Sequence, residues 1–167
     1  MFEKGTVVRY GQTGICRIED ITPLKLTGAE QEYYILMPLF KAGALLYVPC
    51  ENADLVGRML PPLTPEQIRE ALSDVRERKA EWTRDFRRRS EESKRALGSG
   101  DRRDALYLIK NIYLRKREIL GEGKRIHTTD DYFLRDAENL LYNEIAYVLE
   151  KDYEYARALV PKALELE

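Results

Sequence analysis

The sequence has few of the residues from which catalytic and metal sites are built. Its 167 residues include two cysteines, Cys16 and Cys50, without CxxC spacing, and one histidine, His127, without a nearby partner. With these residues, neither a zinc site nor a Ser-His-Asp arrangement is expected. The phosphate-binding motifs GxxxxGK[ST] and GxGxxG and the nucleophile motif GxSxG are missing too. We therefore expect no enzymatic activity, no cofactor and no bound metal.

Long apolar runs are also lacking. No stretch approaches the ~20 residues that a membrane-spanning helix needs, and the start MFEKGTVVRYG has no signal-peptide pattern. In a reducing cytosol the two cysteines are expected to be ordinary half-buried thiols. We therefore expect a cytoplasmic protein without a membrane partner.

Charge is distributed unevenly along the chain, although the net charge is only −1. Residues 76–125 hold 17 of the 28 lysines and arginines, and both flanking segments are net acidic. A basic block of this kind can steer a protein toward phosphate. A pair of solvated helices with mixed charges would give the same composition, so charge alone leaves both interpretations open.

The two parts of the chain follow different periods. Up to about Val56, short segments rich in Val, Ile, Tyr and Leu are separated by Gly and Pro, and they predict four or five strands that close into a small barrel. After the stretch GRMLPPL, helical patterns begin. The fold class is therefore α+β in two domains: a small β-barrel over 1–58, a linker over 59–64 and about five helices over 65–167.

Capping signals place the helices. Thr64-Pro65-Glu66-Gln67 has the form of a capping box and opens a helix to about Lys79. The pattern then predicts a helix from about Trp82 to Leu97 and a third after Asp101. A fourth is expected from a cap at Thr128 or Thr129 to about Glu150, and a fifth from Tyr153 to about Leu166, with Pro161 as an unfavourable interior residue.

The predicted second helix would gather basic side chains on one face, because spacings of 3, 4 and 11 residues return to the same side. Arg84, Arg87, Arg88 and Arg95 have these spacings. A row of Arg103, Lys110 and Arg117 is expected on the third helix, near Arg102, Arg115 and Lys116. Two adjacent helices would merge these groups into one phosphate-binding patch.

The single tryptophan has two possible roles. Trp82 and Phe86, one turn apart, would both pack into a core if the helix follows its apolar face. Alternatively, Trp82 stays exposed beside the arginines and inserts into a DNA minor groove, as apolar side chains of architectural proteins do. Sequence-specific reading of bases is not expected, since no helix-turn-helix or zinc-finger pattern is present.

The order of these features resembles the CarD/CdnL family of bacterial transcription regulators. FEKGTVVRYGQTGICRIEDI, followed by EQEYYIL and YVPCENADLVG, is similar to the RNA-polymerase-interacting module that CarD-like proteins share with the transcription-repair coupling factor. EWTRDFRRRSEESKRALGSGD is similar to the CarD segment in which a tryptophan and basic residues precede a Ser-Gly-Asp cap. The likeness covers nearly the whole chain in order.

The resemblance implies a function. The N-terminal module would be Tudor-like and dock on the RNA polymerase β subunit through an edge strand. The helical domain would reach promoter DNA at the upstream edge of the melted bubble, with Trp82 as a minor-groove wedge. Open complexes would then live longer, often at ribosomal RNA promoters, and the protein would associate with the nucleoid through polymerase.

The site residues that the resemblance implies differ from the family pattern in places. Arg84 and Arg87 match positions that are basic in relatives, and Asp85 stands where a second basic residue is usual. Arg88 and Arg89, in the next turn, would compensate. The residues expected to contact polymerase are Lys25, Leu46 and Tyr47, and the hairpin PLFKAGALL is longer than usual.

Two other functions remain compatible with the sequence. A pure adaptor would bind polymerase or another protein through the barrel and use the arginines on an acidic protein surface. A nuclease would hold a metal ion with Glu122, Asp130 and Asp131, although acids at a helix start are also favoured by the helix dipole.

Overall fold

The chain folds into two compact units. The structure, a computed structural model, describes residues 1–40 and 43–167. The units are Met1–Pro62 and Leu63–Glu167, named here the sheet unit and the helical unit. Strands occur in the first and α-helices dominate the second, so the predicted α+β class is confirmed.

One antiparallel sheet forms the sheet unit, with the strand order β4-β3-β2-β1-β5. The bounds are Val7–Tyr10 (β1), Gly14–Leu24 (β2), Gln31–Pro38 (β3), Leu46–Pro49 (β4) and Met59–Leu60 (β5). Strand β1 pairs with both β2 and β5, and β4 and β5 are the two ends of this order among the described residues. The middle of the predicted long hairpin, Lys41 and Ala42, lies outside the described residues.

The turns and the core follow the sequence pattern. A 3₁₀ helix, Gly11–Thr13, joins β1 to β2, and Gly14 has the positive φ of 82° that glycine tolerates best. A bulge in β2 between Ile18 and Asp20 shifts its register against β3 and bends the strand. The core of the unit is small and consists of Val8, Cys16, Ile18, Tyr34, Leu36, Val48 and Met59.

Two elements of the sheet unit differ from the sequence interpretation. Met59 and Leu60, assigned to a linker, pair with Tyr10 and Arg9 instead. The short helix α1, Ala53–Val56, was not expected. It begins because the Asn52 side chain accepts a hydrogen bond from the backbone N–H of Leu55 at 3.1 Å.

The helical unit contains five helices among its described residues. They are Pro65–Glu77 (α2), Phe86–Gly98 (α3), Arg102–Gly121 (α4), Thr128–Leu149 (α5) and Tyr153–Ala163 (α6). The capping box at Thr64 and Gln67 and the Asp101 cap of α4 form as predicted. Pro161 lies inside α6, two residues before its last residue, and is buried. None of the described helices is long and apolar enough to cross a membrane.

Two helix starts were predicted wrongly. Helix α3 begins at Phe86 rather than Trp82, because Asp85 caps it by accepting from the backbone N–H of Arg88 at 3.0 Å. Helix α5 is capped by His127, whose Nδ1 accepts from the backbone N–H of Thr129 at 3.1 Å. His127 therefore caps α5 in place of Thr128 or Thr129.

Candidate functional sites

Trp82 lies in the segment that enters α3 and is half-buried against the core of the helical unit. The guanidinium carbon of Arg89 on α3 is 4.5 Å from the centre of its ring, and that of Arg115 on α4 is 5.7 Å away. Both distances are in the range of a cation–π contact. The indole is therefore partly inserted and partly accessible, between the two roles considered from the sequence.

Arg89 fixes the segment that contains Trp82 and precedes α3. Its Nε and Nη2 donate to both carboxylate oxygens of Asp130 on α5, at 2.9 and 2.8 Å. Its Nη1 donates to the backbone carbonyls of Thr83 and Arg84 at 2.9 and 3.2 Å. Asp130 is buried and Arg89 nearly so. The geometry makes Arg89 a positioning residue for Trp82, a role that the sequence interpretation did not assign.

The other arginines predicted to contact DNA are exposed. Arg84 lies in the segment before α3, so the expected common helix face does not include it. Arg87 is 3.6 Å from Glu91, and Arg88 is 3.1 Å from Glu92, both on the outside of α3. Exposed pairs of this kind contribute little, about 0–1 kcal/mol, and can exchange partners. Arg84, Arg87 and Arg88 remain available to a phosphate.

The basic row predicted on α4 is not a surface patch. Lys110 is buried, and its ammonium group donates to the carbonyls of Val75, Arg76 and Arg78 at the end of α2. Arg102 is buried beside Glu144 of α5, with its Nε 2.8 Å from the carboxylate. The prediction of one patch merged from α3 and α4 is therefore wrong, because α4 directs these two cations into the helical unit.

Other basic side chains of α4 are also paired. Arg103 donates to Asp101 and to Asp74 of α2, and Arg117 donates to the carbonyl of Leu166. Lys116 donates to Asp131 at 2.9 Å, and this hydrogen bond holds the pKa of Asp131 below its usual range. These contacts connect α4 with α2, α5 and the C-terminal segment.

Replacing Lys110 by methionine is expected to lower the free energy of unfolding of the helical unit by about 1–3 kcal/mol, since the carbonyls at the end of α2 lose a charged donor. Urea unfolding followed by the fluorescence of Trp82 measures this change. The matched control is Lys94→Met on exposed α3, for which we expect less than about 0.5 kcal/mol. Equal losses in the two variants would contradict the capping role of Lys110.

The acids considered for a nuclease site serve other purposes. Asp130 binds Arg89, and Asp131 binds Lys116 and Arg135. Glu122 is the C-terminal cap residue of α4. Residues 1–40 and 43–167 contain no group of three or more His, Cys, Asp or Glu side chains arranged to hold a metal ion.

The two cysteines are free thiols. Cys16 is fully buried in the sheet core, and burial raises the pKa of its thiol to about 11. Cys50 is half-buried, and partial burial likewise raises its pKa. Both thiols are therefore protonated near neutral pH and act as small apolar groups.

Strand β4 is an edge strand whose outer backbone groups can be assigned. The N–H of Cys50 donates to the carbonyl of Glu32 on β3 at 2.9 Å, and Val48 faces Tyr34 two residues earlier. Because hydrogen-bonded and non-hydrogen-bonded pairs alternate in an antiparallel ladder, the N–H and C=O of Tyr47 point away from β3. This edge can therefore pair with another strand.

The side chains around this edge are apolar and exposed. Tyr47 lies on the outer face, and Leu45, which precedes β4, and Phe40, which follows β3, are also exposed. Leu46 points to the core of the sheet unit and is half-buried. Lys25 is exposed after the end of β2, so the structure does not place it in one row with Leu46 and Tyr47.

A family model matches most of the sheet unit. Residues 2–60 match the family model of the CarD-like/TRCF RID domain. No curated protein matches the chain as a relative. The RID domain is an RNA polymerase β-interacting domain. Residues 2–60 of this chain are therefore similar to the CarD-like/TRCF RID domain, which confirms the resemblance of this part of the sequence to CarD-like proteins.

Proposed function

We propose that this protein regulates transcription by binding the RNA polymerase β subunit and stabilising the open promoter complex. The sheet unit docks on polymerase, and the helical unit contacts promoter DNA at the upstream edge of the melted region, with Trp82 as a wedge in the minor groove. No catalytic step belongs to this function. The protein acts in the cytoplasm, at the nucleoid, and its targets include ribosomal RNA promoters.

The RID domain at residues 2–60 is the observation that carries the proposal. The free edge of β4 supports it, because main-chain pairing with an incoming strand provides affinity and the exposed Tyr47 provides a side-chain contact. An apolar rather than basic contact surface follows from Phe40, Leu45 and Tyr47.

The surroundings of Trp82 support the DNA contact. An accessible part of the indole lies in the same segment as the exposed Arg84 and close to the start of α3, where Arg87 and Arg88 are exposed. Arginines beside an apolar wedge can hold the phosphates that flank a distorted base step. Arg89 was predicted to bind DNA with the other arginines. In this proposal it positions the segment that contains Trp82 and does not contact DNA.

The mechanism needs only weak DNA affinity. Binding to polymerase raises the effective concentration of the helical unit at the promoter. If Trp82 fits only an unwound junction, the protein binds the open complex more tightly than the closed one. A difference of about 1.4 kcal/mol shifts that equilibrium tenfold. The same stabilisation activates promoters with short-lived open complexes and represses those limited by polymerase escape.

An adaptor without DNA contact is the second candidate. It is favoured by the packing of Trp82 against the core and its contacts with Arg89 and Arg115, and by the pairing of Arg87 and Arg88 with acids on their own helix. In this function the exposed arginines bind an acidic protein surface. The adaptor would act on transcription without any dependence on the indole.

The test is the lifetime of open complexes at a ribosomal RNA promoter with the cognate polymerase, challenged by competitor DNA. We expect the wild-type protein to lengthen the lifetime and Trp82→Ala to lose most of a roughly tenfold effect. Trp82→Phe, which keeps an apolar wedge, should retain part of it. The control is Tyr155→Ala, which removes an exposed aromatic side chain from α6.

Circular dichroism must first show that the variants are folded, because Trp82 also packs against the core. Equal lifetimes with the wild type and with folded Trp82→Ala would contradict the wedge and favour the adaptor. An equal loss in Tyr155→Ala would show that the assay reports stability and not DNA contact.

A further inference from the structure

A cavity of about 380 Å³ lies in the helical unit beside Trp82, between the segment that enters α3 and the helices α3 and α4. Two aromatic side chains, Trp82 and Tyr107, are part of its wall. Arg78, Arg88 and Arg95 bring three guanidinium groups to it, and all three arginines are exposed residues. Its volume lies within the range of roughly 300–1,000 Å³ that is usual for small-molecule sites.

Two of these guanidinium groups have no anionic partner in the part of the chain that the structure describes. Arg78 lies over the ring of Tyr107, 3.6 Å from its centre, and makes no ion pair there. Arg95 is exposed on α3, and no hydrogen bond or ion pair of its side chain occurs among the described residues. Arg88, in contrast, is paired with Glu92. The wall therefore carries two cations that a ligand can neutralise.

The carboxylates that line the cavity differ in whether they already accept hydrogen bonds from the protein. Glu92 accepts from Thr83 Oγ1 at 2.8 Å and from Arg88, and Asp104 accepts from Ser99 Oγ at 2.7 Å. Glu81 is exposed, and within residues 1–40 and 43–167 only its backbone N–H has a hydrogen-bond partner, the side-chain oxygen of Asn111. A ligand that suits this wall combines an anionic group for the arginines, a flat ring for the aromatic side chains and an amino group for Glu81.

We propose that this cavity binds one unpaired nucleotide. The base would stack on Trp82 or Tyr107, since stacking on an aromatic side chain is worth about 1–3 kcal/mol per base. The phosphate would bind Arg78 and Arg95 through charge-assisted hydrogen bonds. The nucleotide is either part of a frayed DNA strand, in which case the inference rests on the proposed DNA contact, or a free nucleoside phosphate.

Such a site would give the protein a preference for melted DNA. A paired base is stacked inside the duplex and cannot enter the cavity, whereas an unpaired base reaches it without the cost of extrusion. The wedge and the cavity adjoin, because Trp82 belongs to both. Capture of a base that the wedge has freed would add to the stabilisation of the open complex.

The fluorescence of Trp82, the only tryptophan of the chain, provides the assay. We would titrate the full-length protein with a short duplex ending in an unpaired fork, with a blunt duplex of the same length, and with deoxycytidine monophosphate. The variants are Arg95→Ala and its matched control Lys94→Ala, which removes the neighbouring exposed charge that does not line the cavity.

We expect the fork to quench the wild-type protein at a lower concentration than the blunt duplex. In Arg95→Ala the half-saturating fork concentration should rise about tenfold, as for the loss of one charged hydrogen bond, and the fork preference should disappear. In Lys94→Ala both duplexes should weaken equally, by less than about threefold, and the preference should persist.

The possible outcomes separate this inference from the proposed function. Equal binding of fork and blunt duplex, without quenching by the mononucleotide, overturns the cavity site and leaves the DNA contact standing. Quenching by the mononucleotide that depends on Arg95, without binding of either duplex, supports the cavity as a site for a free nucleotide and overturns its role in capturing a base of a frayed DNA strand. No response to any probe overturns the cavity site; the DNA contact, for which weak affinity within the polymerase complex is sufficient, is tested by the lifetimes of the open complexes.

Discussion

Replacing Asp130 by alanine is expected to lower the free energy of unfolding of the helical unit by about 3–5 kcal/mol. The change leaves the guanidinium of Arg89 almost fully buried without its carboxylate, and an uncompensated buried charge carries a cost of this size. Urea unfolding followed by the fluorescence of Trp82 measures the change, because the tryptophan belongs to this unit. The emission of the folded variant should also shift, since Arg89 contacts the indole.

The neighbouring residue offers a matched control. Asp131→Ala breaks pairs with Lys116 and Arg135 that are partly exposed, so we expect a loss of about 1 kcal/mol or less. The double variant Arg89→Met/Asp130→Leu removes both charges and should recover much of the stability. Equal losses in Asp130→Ala and Asp131→Ala would show that the buried pair does not anchor this unit.

A proline at position 47 is expected to weaken binding to the cognate RNA polymerase at least about tenfold. Proline removes the N–H of Tyr47, which points away from β3, and its ring obstructs an incoming strand. The ladder to β3 does not use that N–H, and proline is tolerated on the outer side of an edge strand. Biolayer interferometry with immobilised core polymerase gives the change in Kd.

Tyr47→Thr separates backbone from side-chain effects, because threonine keeps the N–H and favours strands. We expect this variant to bind more tightly than Tyr47→Pro and more weakly than the wild type. The sheet unit of both variants should unfold at nearly the wild-type temperature. Unchanged polymerase binding by Tyr47→Pro would exclude β4 as the docking edge.

The sequence alone was sufficient to predict most of the secondary structure and the N-terminal domain. Alternating apolar residues and glycine turns place β1 to β4, and local chemistry is decisive at Thr64 and Asp101, where the capping residue and its backbone partner are two or three residues apart. The resemblance of the first sixty residues is confirmed by the RID match. Such signals are read within one short segment, and no distant contact is needed to interpret them.

The segment around Trp82 shows where periodicity was misleading. Apolar spacing suggested a helix from Trp82, and the stronger local signal was Asp85, a favoured N-cap residue three positions before Arg88. With the helix starting at Phe86, Arg84 leaves the predicted arginine face. The rule that relates spacing to a helix face was sound, and the predicted start of the helix was four residues too early.

The roles of the basic residues were decided only by the tertiary structure. Lys110 meets the carbonyls that end α2, Arg102 meets Glu144 and Arg89 meets Asp130, all from parts of the chain more than 30 residues away. The identity of a lysine or arginine and its position in a helical repeat do not show whether its side chain faces water or a buried acceptor. The sequence by itself determined that residues 76–125 are rich in positive charge. Only the packing of the helices decided which of those charges stabilise the fold and which, such as Arg84, Arg87 and Arg95, remain accessible to a ligand.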